Sequence, residues 1–351
     1  LEMGNPGLDY GGVEQELDWL TPATPRNIWT NGIWVPLQEA VEARAIEIRL
    51  STPVTELIVD SDTGEIVGVK SEETAFRAKK AVVLAAGSYS RNPVMLREYL
   101  TKAPVVSIGS MTDDGDGLKL GCDAGGKTNY FGCMGAICFA DGAFCAPMME
   151  FPVEAPSIAV NTSGKRFTNE QQYYDYLIKE LLGQQDGYCW VIASGPLAEE
   201  SMFFAQGFGI IPTEESIGLV RASSIEDLAS EIGLDPATLS ATVADWNACV
   251  AANADPVFGR TNRLYKIDEG PYLAAKAFFG ASGAFGGLAI DTSARVLNAL
   301  SGTPLPRLYA AGVNCNAMGR VYPTCGTSVT TGLVTGMLAA RDALALPSLD
   351  A

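Results

Sequence analysis

The chain has 351 residues, 47% of them hydrophobic and 19% charged, and its formal net charge is -17. This length favours two domains, since single hydrophobic cores stop growing at about 250 residues. The negative charge repels phosphate and no Lys/Arg cluster reverses it locally, which excludes nucleic acid as a favoured partner. No apolar run approaches the ~20 residues that are needed to cross a bilayer.

The first third of the chain is predicted to alternate between helix and strand. A helical pattern covers Pro36–Arg44, and a strand pattern covers Ile46–Leu50. The apolar runs Thr55–Val59 and Ile66–Val69 flank a glycine-containing turn, which predicts a β-hairpin. The run Ala81–Ser88 is continuously apolar and ends on small residues, as is typical of a parallel strand that is buried on both faces.

A glycine-rich passage marks the end of this region. Asp114-Gly115-Asp116-Gly117 opens a predicted helix, and beyond residue 126 the alternation of helices and strands is lost. We therefore predict a first domain that is split in sequence, with its first part at 1–125 and its second part at 271–351. A second domain, at 126–270, is inserted between them.

The inserted segment contains two well-marked helix starts. Ser224 begins one helix with a capping-box-like pattern, and Asp235-Pro236 begins another with an N-cap followed by proline. Earlier, Ile158–Glu170 predicts strand, tight turn and strand, and three tyrosines follow at Tyr173, Tyr174 and Tyr176. A buried tyrosine needs a partner for its hydroxyl, so a tyrosine facing a cleft is a candidate proton donor or acceptor; packing within a helix is the alternative.

Strand patterns return after Pro271. Arg307–Gly312 predicts a strand that enters a glycine loop, and Thr327–Leu344 predicts a final helix. Ala85-Ala86-Gly87 and Ala310-Ala311-Gly312 both end strands on small residues, which allows close approach of a nucleotide; two tightly packed strand ends are the alternative. The free N–H groups at the start of the final helix face the loop that precedes it. They suit an anion or a developing oxyanion; an ordinary capped helix start is the alternative.

The composition also restricts the chemistry. No histidine occurs, which excludes Ser-His-Asp and Cys-His catalysis and His-ligated zinc, so acid–base work falls to Tyr, Asp, Glu, Lys or Arg. The eight cysteines form no Cys-x-x-Cys pair, which predicts free thiols in a reducing compartment. Cys133, Cys138 and Cys145 lie close in sequence and leave an iron–sulfur site as the alternative.

Five motifs carry a family resemblance. They are Val83–Pro93, Gly115–Gly117, Val160–Glu170, Gly286–Leu288 and Leu308–Gly312. In order and approximate spacing they resemble the FAD-dependent fumarate reductase/succinate dehydrogenase flavoprotein superfamily. The resemblance implies an α/β fold in which a doubly wound FAD-binding domain, incomplete here, is interrupted by an α+β capping domain. It also implies the residues that bind FAD: Ala86, Gly87, Asp116, Gly117, Gly312, Ser328 and Val329.

One motif of the superfamily has no match. The sequence G-x-G-x-x-G after an N-terminal strand, which holds the FAD pyrophosphate, does not occur in residues 1–45. We expect this βαβ segment to come from a part of the chain not present in this sequence or from another chain. The start also lacks the basic and apolar stretches of a signal peptide, so the protein stays inside the cell or its true start lies elsewhere.

The resemblance also bears on the substrate. Fumarate reductases clamp two carboxylates with a His and an Arg, whose places in the C-terminal loop fall at Met318 and Tyr322, and their proton-delivering Arg falls at Tyr174. Succinate and fumarate are therefore not the expected substrates. The same positions resemble 3-ketosteroid Δ1-dehydrogenases, in which the tyrosine at Tyr174 is the base and the residues at Tyr322 and Gly326 bind the ketone oxygen. A further tyrosine of the steroid enzymes would lie near the chain start, where Tyr10 is the nearest candidate.

Together these positions imply chemistry at a C–C bond next to a ketone. Flavin N5 exchanges a hydride at the β-carbon, Tyr174 exchanges the proton at the α-carbon, and Tyr322 with Gly326 stabilises the enolate. The expected substrate is a ketone or an unsaturated carbonyl compound. Two alternatives stay open: a fumarate reductase-type flavoprotein that reduces another acceptor with electrons from a partner, and a non-catalytic fragment unable to bind FAD.

Overall fold

The computed structural model describes residues 35–44, 46–100, 102, 104, 106–107, 109–139, 157–172, 174–195, 214–262, 264–315, 317, 319, 322 and 327–349. The helices of these residues are α1 (Val35–Ala43), α2 (Pro93–Tyr99), α3 (Asp116–Asp123), α4 (Tyr174–Leu182), α5 (Glu214–Ile217), α6 (Ile225–Glu231), α7 (Pro236–Ala251) and α8 (Thr327–Ala345). The strands are β1 (Glu56–Val59), β2 (Ile66–Ser71), β3 (Thr74–Arg77), β4 (Val82–Leu84), β5 (Val106–Ser107), β6 (Thr128–Cys138), β7 (Ser157–Val160), β8 (Tyr188–Ser194), β9 (Val220–Ala222), β10 (Tyr272–Leu288), β11 (Arg295–Leu297) and β12 (Pro304–Ala310). Helices and strands are interspersed, and the predicted α/β class is confirmed.

The chain forms two compact units. The inserted unit consists of Ala136–Gly280 with the described part of Leu1–Ile48, and the split unit consists of Arg49–Gly135 and Ala281–Ala351. The units divide at residues 135/136 and 280/281, whereas the sequence placed domain boundaries near 126 and 271. The assignment of the two predicted domains to FAD binding and capping stays a prediction.

The central sheet of the split unit has the order β11-β12-β4. β12 runs parallel to β4, with Leu308 opposite Val82 and Ala310 opposite Leu84, and antiparallel to β11. The two strands predicted before the Ala-Ala-Gly sequences are confirmed, and the structure shows in addition that they are direct neighbours. The prediction that the first is buried on both faces is wrong, since Val83 is 43% exposed. No described residue packs over this side chain sufficiently to bury it.

A second sheet of the split unit is antiparallel, with the order β1-β2-β3. It confirms the predicted hairpin, whose turn forms because the Asp60 carboxylate accepts hydrogen bonds from Asp62 N, Thr63 N and the Thr63 hydroxyl. The strand predicted at Ile46–Leu50 is wrong. In the described residues this segment pairs with no strand, and an extended segment becomes a strand only by hydrogen bonding to a neighbour.

The inserted unit is built on β8, which pairs antiparallel with β7 on one side and with the first half of β10 on the other. α6 and α7 pack onto this sheet around the buried residues Leu239 and Trp246. Both predicted helix starts are confirmed, since the side chains of Ser224 and Asp235 cap α6 and α7 by accepting from backbone N–H groups. Among the described residues, no helix has the combined length and apolar character needed to cross a membrane.

Candidate functional site

The carboxyl ends of β4 and β12 form a shared edge in the split unit. Ala311 N donates to Leu84 O at 2.9 Å, which continues the pairing of the two strands beyond their last residues. Directly after this bond, Gly87 and Gly312 adopt φ values of +83° and +66°. Only glycine takes this left-handed conformation without strain, so the backbone can turn sharply after both strands. In open α/β sheets, ligands bind at such carboxyl ends.

Asn314 ties the two strand ends together. Its side chain is 2% exposed, and its Oδ1 accepts a hydrogen bond from Ala86 N at 3.1 Å. The Nδ2 of the same amide is buried and has no hydrogen-bond partner among the described residues. Leaving a buried donor unsatisfied costs about 1–3 kcal/mol. This N–H is therefore suited to an acceptor supplied from outside the described residues.

Gly117 and Asp116 lie at the start of α3. The helix is entered through Gly115 at φ +92°, and Gly117 is buried against Asn314 so closely that a Cβ would overlap the Asn314 amide. Asp116, the first helical residue, is exposed. Partial burial, followed by repulsion from Asp114, raises the pKa of Asp116. Of these two predicted cofactor residues, Gly117 lies against the strand ends through Asn314.

Asp113 is a second organising residue that the sequence analysis missed. Its carboxylate accepts hydrogen bonds from Ser88 N at 3.3 Å, from the Ser88 hydroxyl at 2.8 Å and from the Ser90 hydroxyl at 3.3 Å. A Cβ on Gly87 would collide with the Asp113 carboxylate. Asp113 therefore fixes the turn after β4 from one side while Asn314 fixes it from the other. The only sequence signal was its place next to the glycine-rich passage.

The N-terminal half of α8 packs against the turn after β12. Gly312 N donates to the Thr335 hydroxyl at 2.9 Å, and a Cβ on Gly312 would lie 3.7 Å from the Cα of Gly332. Small residues on both sides thus bring this helix close to the strand end. The predicted cofactor residues Ser328 and Val329 lie in the first turn of α8 and are half-buried.

Tyr322 is held at the start of the same helix. It is 5% exposed, and its hydroxyl oxygen accepts a hydrogen bond from Ser328 N at 3.5 Å. Its ring is 6.5 Å from that of Phe285, measured between centroids. The structure therefore brings together the predicted residues Tyr322 and Ser328. Gly326 lies outside the described residues, as does Tyr10.

Tyr174 is the first residue of α4 in the inserted unit. Its backbone is described and its side chain is not. Leu177 and Leu181 of the same helix have no exposed surface, so they anchor α4 in the core of the unit. Tyr174 and Tyr176 lie in a helix, but Tyr176 is 62% exposed, so packing of the tyrosine side chains stays untested as an alternative and the catalytic role of Tyr174 stays a prediction.

Within the described residues, Cys122, Cys249 and Cys315 carry free thiols. In the part of the chain that the structure describes, no group of three or more Cys, Asp or Glu residues is placed to hold a metal ion. Cys145 of the iron–sulfur alternative lies outside this part, so that alternative is not tested.

The residues of the shared strand edge fit a bound dinucleotide. Small residues at Ala86, Gly87 and Gly312 leave the backbone accessible to close contact, and the buried Asn314 amide has no acceptor for its N–H among the residues that the structure describes. Gly312 contacts α8 at Gly332 and Thr335, and the N-terminus of this helix carries partial positive charge. This donor set suits the oxygen-rich, anionic backbone of a cofactor such as FAD.

Comparisons with known proteins agree with this geometry. Residues 8–329 match the family described as FAD binding domain. A 4-oxocyclohex-2-ene-1-carboxylate 5-dehydrogenase of Sinomonas cyclohexanicum is 31% identical over 85% of this chain and 57% of its own length. The chain spans about half the length of the curated relatives it matches.

Two solved structures share the fold. The 3-ketosteroid Δ1-dehydrogenase of Sterolibacterium denitrificans, in complex with 1,4-androstadiene-3,17-dione, aligns with a TM-score of 0.72 and 26% identity over 88% of this chain and 62% of its own. A flavocytochrome c3 fumarate reductase in an open conformation aligns with a TM-score of 0.68 and 27% identity over 88% of this chain and 54% of its own.

Proposed function

Because this chain belongs to the FAD-binding domain family of fumarate reductase and succinate dehydrogenase flavoproteins, we propose that it is the larger part of an FAD-dependent oxidoreductase acting on a C–C bond next to a ketone. The substrate class is a cyclic ketone or an enone. Its relatives include a dehydrogenase of 4-oxocyclohex-2-ene-1-carboxylate and a structure holding 1,4-androstadiene-3,17-dione. Both compounds place a ketone in conjugation with a C=C bond.

The observation that carries the proposal is the setting of Tyr322. Tyr322 is buried, and its hydroxyl oxygen accepts the N–H of Ser328 at the start of α8. A hydroxyl that accepts a hydrogen bond becomes a stronger donor, and the helix N-terminus adds partial positive charge beside it. A tyrosine hydroxyl in this setting is suited to donate its O–H to a carbonyl oxygen that gains negative charge during the reaction.

The proposed roles divide the chemistry among three residues of this chain. Tyr322 O–H and Gly326 N–H hold the ketone oxygen and stabilise an enolate, and Tyr174 moves the proton at the α-carbon. When bound, FAD supplies hydride exchange at flavin N5. Ala86, Gly87, Asp116, Gly117, Gly312, Ser328 and Val329 are the proposed FAD-binding residues.

The experiment combines flavin binding with proton exchange. FAD is titrated into the purified protein and followed by flavin absorbance, and the loaded protein is then given a 3-ketosteroid or a cyclohexenone in deuterated water. Tyr174→Phe should slow deuterium exchange at the α-carbon by about 10²-fold or more, because general acid–base catalysis contributes that much. Tyr176→Phe is the matched control, since Tyr176 lies on the same helix and is 62% exposed.

Three outcomes would contradict the proposal. Failure to bind FAD supports the alternative of a non-catalytic fragment. Turnover of fumarate, but of no ketone, supports a fumarate reductase-type enzyme with a separate electron donor. Equal exchange rates in Tyr174→Phe and Tyr176→Phe would remove Tyr174 from the acid–base role while leaving the substrate class intact.

A further inference from the structure

A buried cluster of opposite charges lies in the inserted unit. Two of its members, Arg166 and Glu170, shortly precede α4 in sequence. Arg166 donates to both carboxylate oxygens of Glu170, at 2.9 and 2.8 Å, and to Asp255 Oδ2 at 3.0 Å. Arg260 Nη1 donates to Glu170 Oε2 at 3.3 Å. None of these four side chains is more than 7% exposed. We call this set, Arg166, Glu170, Asp255 and Arg260, the charge cluster.

Trp246 makes the charge cluster rigid. The Arg166 and Arg260 guanidinium carbons lie 4.6 and 4.7 Å from the centre of its ring system. The indole N–H donates to Tyr265 O at 2.9 Å, which fixes the plane of the ring. Stacking on an aromatic face restricts a guanidinium in rotation as well as in position.

The charge cluster is electrically balanced, with two cations and two anions. Burial disfavours the charged form of Arg166, but its bonds to Glu170 and Asp255 outweigh this and raise its pKa. Burial likewise raises the pKa of Asp255, and Arg166 with nearby N–H groups more than reverses the effect, so the net shift is downward. Buried ion pairs often add little stability over apolar residues of similar volume, and specifying one geometry is among their attested uses.

Glu170 links the charge cluster to the backbone of β7. Its Oε1 also accepts from Ala159 N of β7 at 3.1 Å, so the carboxylate joins a strand and two arginines at one point. Beyond it the chain turns tightly, since Gln172 N donates to Asn169 O at 3.2 Å and the Gln172 amide donates to the Thr168 hydroxyl at 2.8 Å. α4 begins two residues later at Tyr174.

Asn161 and Thr162, which precede Arg166 in sequence, hydrogen-bond to the segment that follows α4. Asn161 Nδ2 donates to Gln184 Oε1 at 3.1 Å, and the Thr162 hydroxyl donates to Asp186 Oδ2 at 2.7 Å. Both acceptors lie directly after the helix, which ends at Leu182. The segment 157–172 thus leads up to the start of α4 and hydrogen-bonds to the residues beyond its end.

We propose that Arg166 and Glu170 are positioning residues that hold Tyr174 in place for proton transfer. This inference rests on the proposed acid–base role of Tyr174. Displacing a reacting group by about 1 Å can cost about 10²-fold in rate, so a proton-transferring residue at a helix start needs an anchored start. The charge cluster supplies that anchor, because Glu170 is held by the guanidinium groups of Arg166 and Arg260 and by Ala159 N of β7.

Arg166→Lys is the test variant. Lysine keeps the charge but cannot bond both oxygens of Glu170 and Asp255 in the same fork geometry. We expect α-proton exchange in the FAD-loaded protein to slow about tenfold or more with an unchanged KM. We also expect the backbone amides of the first turn of α4 to exchange faster with deuterated water. Arg221→Lys is the control, since Arg221 pairs with Glu214 on a more exposed part of the same unit.

A double variant separates positioning from general destabilisation. Added to Tyr174→Phe, Arg166→Lys should cause no further loss of exchange rate, because the group it positions is gone. An equal loss in both backgrounds would overturn the inference. Leu239→Ala serves as a destabilised reference in the core of the same unit, and loss of α4 protection to the same extent there would also overturn it.

Failure of the proposed function can be told apart from failure of this inference. If Tyr174→Phe is itself without effect, the acid–base role is wrong, and unchanged amide exchange of α4 in Arg166→Lys would then refute the anchor independently. If Arg166→Lys does not fold, Glu170→Gln takes its place, since it keeps the shape of the side chain and removes one charge. It should speed amide exchange at the start of α4 in the same way.

Discussion

Asn314 Oδ1 accepts the backbone N–H of Ala86 at 3.1 Å, across a sequence separation of 228 residues. This bond joins the turn after β12 to the residues after β4. Ala85-Ala86-Gly87 follows β4, and Ala311-Gly312 follows β12. A single buried amide therefore holds together the two backbone segments proposed to bind FAD. The amide nitrogen Nδ2 of Asn314, which carries both side-chain hydrogens, has no acceptor among the described residues.

The contact between Gly117 and Asn314 can be tested by a double-mutant cycle. Gly117→Ala should destabilise the protein by about 1–3 kcal/mol, because its Cβ overlaps the Asn314 side chain. Asn314→Ala should cost about 1–3 kcal/mol by leaving Ala86 N without its acceptor. The double variant should lose less than the sum, since truncating Asn314 makes room for the new methyl group. Urea unfolding of the four proteins measures the coupling.

A control for that cycle is available on α8. Gly336 also lies within a helix, but a Cβ there would meet nothing within 4 Å. Gly336→Ala should be neutral or stabilising by up to about 1 kcal/mol, since alanine is the better helix former. Strictly additive losses in the Gly117/Asn314 cycle would show that the two side chains do not compete for space.

Tyr322→Phe tests the proposed oxyanion role. Removing one hydrogen-bond donor from a developing oxyanion typically costs about 10²–10³-fold in turnover. We expect kcat for a ketone substrate to fall in this range, with FAD affinity unchanged, because the aromatic ring beside Phe285 is kept. Stopped-flow reduction of the flavin and an FAD titration measure the two quantities. A loss confined to FAD binding would assign Tyr322 to the cofactor instead.

The lowered pKa of Asp255 predicts that part of the protein's stability is lost at acid pH. Its pKa is lowered in the folded protein, so it contributes stability above the unfolded value of about 3.9, and this stability is lost as pH falls through the folded pKa. Asp255→Asn should lower stability at neutral pH and also flatten the decline between about pH 5 and pH 3. Urea midpoints across this range give the slope. Parallel curves for both proteins would contradict the assignment.

The raised pKa of Tyr309 predicts that part of the protein's stability is lost at alkaline pH. The Tyr309 hydroxyl donates to Asp342 Oδ2 at 2.7 Å, and burial together with this carboxylate raises the pKa of Tyr309. A raised pKa means that the contribution to stability is complete below the unfolded value of about 10 and is lost as pH rises through the folded value. Tyr309→Phe should cost about 0.5–1.5 kcal/mol at neutral pH and flatten the alkaline decline.

The exposed Tyr176 gives a matched comparison for the loss of a tyrosine hydroxyl. Tyr176→Phe should leave the stability at neutral pH unchanged, since the residue is 62% exposed. Thermal unfolding at pH 7 and above about pH 10 distinguishes the two variants. A Tyr309→Phe protein as alkali-sensitive as the wild type would show that other groups, such as the buried Tyr89, set this limb.

Local signals were sufficient to predict much of the fold. Ser224 and Asp235 cap helices because their side-chain oxygens reach N–H groups three residues ahead, a contact that depends only on neighbouring sequence. The continuous apolar runs at β4 and β12 and the helix after Thr327 are likewise local patterns. The five ordered motifs also sufficed to identify the FAD-binding family, which the match over residues 8–329 confirms.

Contacts between residues distant in sequence were decided by the tertiary structure alone. The sequence offered Asn314 no special status, yet folding places its amide between Ala86 and Gly117. Arg166 and Glu170 were recognised only as part of a motif, and their partner Asp255, 89 residues from Arg166, emerged from the packing of the inserted unit. The segment at Ile46–Leu50 shows the converse, since its strand pattern forms no strand without a described partner. A strand or a buried charge is satisfied only by atoms that the fold brings to it, and sequence spacing does not specify those atoms.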